Sequence, residues 1–310
     1  MDRGKLNSNL LLLITSTIWG FGFVAQEMGS DHLGPNAFNG TRYSVGAVCL
    51  LIILLLWHRG RAMDGFRSRD WVKASLSAGL FLFFGSLLQQ AGIGYEATGP
   101  GKAGFITGLY VVIVPLPGLT LGHRTNAQLW AGVALATVGL WLLSFNLGNE
   151  QWAIRRGDLL VFFGAFCWAA HVLVIDRFAN RVSSLHLALG QVTVCAGASW
   201  VASALAEPME WASFRAAFLP ALYLGSMSIA VAFTMQIIGQ RKAHPTHASI
   251  IFAMEAVVGV FAGWLILHEQ LTQRELAGCL LMFCGMVLSQ LPVRLIRLGL
   301  TRRANDKPPA

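Results

Sequence analysis

Ten apolar runs of about twenty residues each follow one another along the chain, parted by short polar stretches. A helix of that length rises about 30 Å, the thickness of a bilayer's hydrocarbon core. Inside lipid no water can satisfy a bare peptide group, so a spanning segment must close its own hydrogen bonds. The runs predict helices over roughly 8–28, 36–57, 71–92, 100–121, 127–146, 158–176, 185–206, 215–238, 246–267 and 273–292. The expected fold is therefore all-α, a polytopic membrane protein with ten transmembrane helices. With 55% hydrophobic and only 12% charged residues, the 310-residue chain does not read as soluble domains. Its net charge of +8 then bears on topology and is no argument for nucleic acid.

The distribution of Lys and Arg tests the topology. With the N-terminus inside, seventeen of the 23 basic residues fall on the cytoplasmic side and six outside, Arg42 being counted among the six. Both termini are thus expected in the cytoplasm. Residues 293–310 form a basic tail suited to the anionic inner leaflet. The five cysteines all lie within apolar runs, have no zinc-type spacing, and read as small packing residues.

The two halves of the chain resemble each other. An offset of 149 residues carries Trp19 onto Trp168, and one of 146 carries Gly132 onto Gly278 and Gly139 onto Gly285. A five-span unit repeated once must enter the membrane from opposite sides. The expected domains are therefore two inverted five-helix repeats, 8–146 and 158–292. Gly132 and Gly139, like Gly278 and Gly285, are seven apart and share a helix face, which suits close helix packing. Pro115 and Pro117 interrupt the fourth run and offer a hinge, whereas the aligned positions of the ninth are Phe261 and Gly263.

Polar residues at membrane depth are few, and they carry the functional expectation. Glu255 is the lone charge in the ninth run, a candidate for proton coupling; the alternative is a structural bond to a neighbour. Gln90, Gln236 and His171 also lie within runs. His171 either bonds a substrate or bridges two helices. Trp19 and Trp168 sit mid-span, away from the interfaces where Trp normally anchors, and Tyr110 sits mid-run as well. These aromatics read as walls of a cavity, with core packing as the alternative.

Several segments together resemble a known family. They are Trp19-Gly20, Gln90-Ala91-Gly92 and the run from Ala103 to Tyr110 in the first half. In the second they are Gly157-Asp158-Leu159-Leu160, Trp168-Ala169, the run from Ala243 to Ala248, Glu269-Gln270-Leu271-Thr272 and Ala277-Gly278. In order and spacing the chain resembles the EamA-type members of the drug/metabolite transporter superfamily. The resemblance implies a ten-helix permease of the bacterial inner membrane that exports small metabolites such as amino acids. It departs at Ala256, where the family commonly has Pro after the Glu, and at Gly122-His123-Arg124, where an acidic residue is common. Multidrug or other metabolite efflux and, from another class, intramembrane catalysis are the alternatives. The chain lacks a P-loop, and His268-Glu269 lacks the second His of a zinc protease motif. No cofactor, metal or catalytic residue is expected. The expected partners are a small-molecule substrate and the lipid bilayer, with monomer and homodimer both open.

Overall fold

The computed structural model describes residues 3–58, 68–94, 100–120, 126–144, 156–208, 210–266 and 272–290, and among these there is no strand. The basic tail, Gly122-His123-Arg124 and Glu269-Gln270-Leu271 lie outside the described residues. Each of the ten apolar runs coincides with a helical stretch. In the first half these are α1 (Arg3–Ser30), α2 (Pro35–His58), α3 (Arg69–Gly94), the broken series α4 (Pro100–Gly108), α5 (Tyr110–Ile113) and α6 (Pro115–Thr120), and α7 (Ala127–Ser144). In the second they are α8 (Arg156–Phe178) and α9 (Ser184–Ala206), followed by α10 (Trp211–Ala216) and α11 (Phe218–Tyr223). A π-helical segment, Leu224–Ala232, then leads into α12 (Phe233–Gln240), and α13 (Pro245–Phe252), α14 (Met254–Ile266) and α15 (Gln273–Gln290) complete the bundle. Among the described residues, seven helical stretches are long and apolar enough to cross a membrane, and two shorter apolar ones span Ala103–Pro117 and Ala127–Leu142. The protein is a multi-pass membrane protein.

Where the helices break, the causes are local. Pro115 and Pro117 lack the N–H that would continue the ladder. The series also tightens earlier, at Leu109, whose N–H bonds the Ile106 carbonyl at 3.2 Å. No proline lies within the ninth run, yet it too tightens, with Ala256 N–H on the Ala253 carbonyl at 3.1 Å. Both irregular turns flank the point where Tyr110 and Glu255 meet.

Glycine sets how closely the halves approach. A methyl group added at Gly139 would lie 2.6 Å from the Gly278 carbonyl, and one at Gly285 would lie 2.7 Å from the Gly132 carbonyl. Helices α7 and α15 thus touch backbone to backbone at these four positions. On the outside, Val48, Leu51, Ile52 and Leu55 of α2 are exposed together, as a lipid-facing helix side requires. A polar anchor holds the start of α2. Glu207 accepts hydrogen bonds from the Asn36 and Ala37 backbone amides at 2.9 and 2.7 Å, a carboxylate at a positive helix end.

Candidate substrate cavity

Mid-bundle, an aromatic cluster forms around Phe233. The Trp19 ring lies 5.2 Å from it and 5.3 Å from Phe252, while Trp168 stacks on it at 6.5 Å with planes 15° apart. The two tryptophans expected to be related by the repeat therefore converge on one phenylalanine from different helices. Trp19 is further fixed by its Nε1, which donates to the Ser228 carbonyl at 3.1 Å. That carbonyl lies in the π-helical segment, where widened turns loosen the regular ladder and a carbonyl can turn to other donors. Trp168 Nε1, by contrast, has no hydrogen-bond partner among the described residues.

Above this cluster lies a cavity. Trp19, Trp168, Phe233, Phe23 and Ile229 supply its apolar wall. Gln26, Gln89, Thr107 and Ser228 supply neutral polar groups, with Gln89 Nε2 donating to Thr107 Oγ1 at 2.8 Å. The remaining lining residues are Tyr43, Tyr110, Arg42 and Glu255. The cavity leans towards one end of the bundle, where α1 and α3 finish and α2 begins, since Gln26, Gln89 and Arg42 lie close to those termini. The opposite side is filled by Leu12, Val114, Val172, Ala248 and Phe252.

Glu255 is 5% exposed and accepts a hydrogen bond from Tyr110 Oη at 3.0 Å. No other partner is recorded for it among the described residues. Its position depends on Gly20: a methyl group there would lie 2.5 Å from Val258 Cβ and 2.7 Å from the Glu255 carbonyl. The pair Trp19-Gly20 thus supplies a wall and, beside it, the gap that admits α14.

Of the residues expected from the sequence, Trp19, Tyr110, Trp168 and Glu255 share this cavity. The other three are buried outside its lining. His171 Nε2 and Gln191 Oε1 lie 2.9 Å apart, bridging α8 and α9 with the ring nitrogen donating. Gln90 Nε2 donates to the Gln26 carbonyl at 3.1 Å, and neither amide atom of Gln236 has a partner among the described residues. Pro115 stands at the start of α6, outside the lining.

The residue that sequence reasoning missed is Arg42. Counted on the outer side although the run 36–57 contains it, it is buried in α2, 4% exposed, and on the cavity wall. Its spacing gave one usable signal: it lies seven residues past Pro35, about 10 Å along a helix that starts there. Among the described residues no group of His, Cys, Asp and Glu has the arrangement of a metal site.

Known proteins share this architecture. A solved crystal structure has the same fold, with a TM-score of 0.77 at 20% sequence identity over 93% of this chain and 98% of that one. The uncharacterised transporter YoaV of Bacillus subtilis (strain 168) is 25% identical over 288 residues, 90% of this chain and 94% of that protein. A probable amino-acid metabolite efflux pump of Escherichia coli (strain K12) is 21% identical, over 92% and 95%. The aromatic amino acid exporter YddG of the same organism is 27% identical, over 60% of this chain and 64% of its own length. The EamA-like transporter model matches twice in succession, over residues 6–145 and 155–291, and the chain belongs to the EamA-like transporter family.

Proposed function

We propose that this protein exports small metabolites, chiefly amino acids with apolar or aromatic side chains, across the bacterial inner membrane. It does so by alternating access between two inverted five-helix repeats, ten spans in all, with both termini in the cytoplasm. The observation that carries this reading is the mid-bundle cavity, with indole walls and one incompletely bonded carboxylate. Mostly apolar pockets with a few placed polar groups suit amphipathic solutes. Relatives named as amino-acid efflux pumps and an aromatic amino acid exporter point the same way. In this topology the end towards which the cavity leans is the outer one. Glu255 then holds a proton and the solute's ammonium group by turns, which couples export to proton entry.

Counterflow in liposomes containing the pure protein, with a panel of amino acids, nucleobases and cationic dyes, tests the reading. Saturable exchange of unmodified amino acids is expected. Exchange of dyes alone would replace it with multidrug efflux, and chemical conversion of a solute would replace it with catalysis. Topology is tested separately with single cysteines at Ser68 and Ala304. Both should escape an impermeant thiol reagent in intact cells, and labelling at either position from outside would sink the both-ends-in arrangement.

A further inference from the structure

We propose that Arg42 is the anion-binding residue of this cavity, so that a transported solute must present a carboxylate or a similarly compact anionic group. The proposal rests on the export reading above and names the chemistry that the same cavity selects. Arg42 Nε donates to Asn39 Oδ1 at 2.9 Å, and the guanidinium carbon lies 5.6 Å from the Phe38 ring centre and 5.3 Å from that of Tyr43. These neighbours on its own helix fix the stem and use one donor of five. Among the described residues no carboxylate pairs with Arg42, and no protein acceptor is recorded for its Nη groups. The same corner holds a further buried donor without a partner, Asn39 Nδ2. Gln26 Oε1 on the same wall is an unpartnered acceptor, but a neutral amide oxygen does not offset a charge. A buried cation with free donors is the local chemistry of an anion site, and a guanidinium fork matches a planar carboxylate through two parallel bonds.

Packing does not demand this charge. The offset of 149 that relates Trp19 to Trp168 carries Arg42 onto Gln191, a neutral amide that closes a bond with His171. An uncompensated charge at membrane depth is costly and marks a functional position by default. Glu255 does not neutralise it: Tyr110 is the partner recorded for Glu255, and Asn39 is the one for Arg42. The cavity therefore offers one group for an ammonium and another, on a different helix, for a carboxylate. A cationic amine lacking the carboxylate would leave Arg42 unmatched and bring a second positive charge into the same space.

The test uses matched pairs, phenylalanine against phenethylamine and leucine against isoamylamine, together with 3-phenylpropionate. Protein is reconstituted in phosphatidylcholine alone, so that no anionic lipid headgroup can occupy the site; a parallel sample with phosphatidylglycerol measures headgroup competition. Binding is read from the fluorescence of the cavity tryptophans and transport from counterflow. In the wild type, the carboxylates should compete at least ten-fold better than their amines. Arg42→Gln should lose that preference and Arg42→Lys should keep part of it. Equal competition by the amines, no binding of any carboxylate, or an Arg42→Gln variant with the preference intact would each overturn the proposal. If Arg42→Gln does not insert, the wild-type pairs still decide. Carboxylate binding that depends on Arg42 but is accompanied by no flux would uphold the site and sink the export reading alone.

Discussion

At the start of the second half, His171 of α8 and Gln191 of α9 bond each other at 2.9 Å outside the cavity lining. The offset of 149 places Gly22 and Arg42 at the corresponding points of α1 and α2, and there no such bond forms. The same contrast separates the tryptophans, since Trp19 Nε1 is tied to the Ser228 carbonyl and Trp168 Nε1 is not bonded among the described residues. Related backbone positions thus do different work. One corner spends its polar groups on itself and is structural, while the other leaves a charge facing the cavity.

The largest expected effect comes from the carboxylate opposite that charge. Glu255→Gln should reduce gradient-driven flux at least ten-fold in liposomes and abolish its response to an imposed pH difference. Normal, gradient-sensitive flux in the variant would remove Glu255 from the mechanism. Next is Gly20→Val, which forces α14 away from α1 and should cost about 3 kcal/mol through overpacking. A melting temperature in detergent equal to that of the wild type would mean that the helices shift freely. The residue at the offset position is Ala169, which already carries a methyl group.

His171→Ala sharpens the comparison from the closed corner. It strands the Gln191 carbonyl oxygen in the interior, at a cost of about 2 kcal/mol, and should lower stability without altering the order of substrate preference. A changed order with unchanged melting would place His171 in recognition after all. Smallest is the tryptophan pair. Trp19→Phe loses one hydrogen bond, about 1 kcal/mol, whereas Trp168→Phe loses none. Trp168→Ala should instead reorder substrate preference while the protein inserts normally; identical order and rate would make that ring plain packing.

Helix placement was legible because the decisive physics is local. A run such as Leu185 to Ala206 must satisfy its own peptide groups wherever it lies in lipid, so its length and composition announce the helix. The break at Ala253 was hidden, since no proline or polar cluster marks it. Glu255 stood out as a lone acid in an apolar run. Arg42 did not, because a charge in the first third of a run reads equally well as one held at the membrane surface.

What the sequence by itself determined is the class of the molecule, its all-helical build, its membership in a transporter family and a short roster of polar residues held at depth. Only the tertiary structure decided which of them meet. Trp19, Trp168 and Phe233 come from α1, α8 and α12, and Tyr110 reaches Glu255 across 145 positions of chain. Such meetings depend on how near the helices approach, and glycines such as Gly20 set that distance through contacts with residues far away in sequence. A helix face is written in a few neighbouring residues, whereas a cavity is written in the crossings between helices.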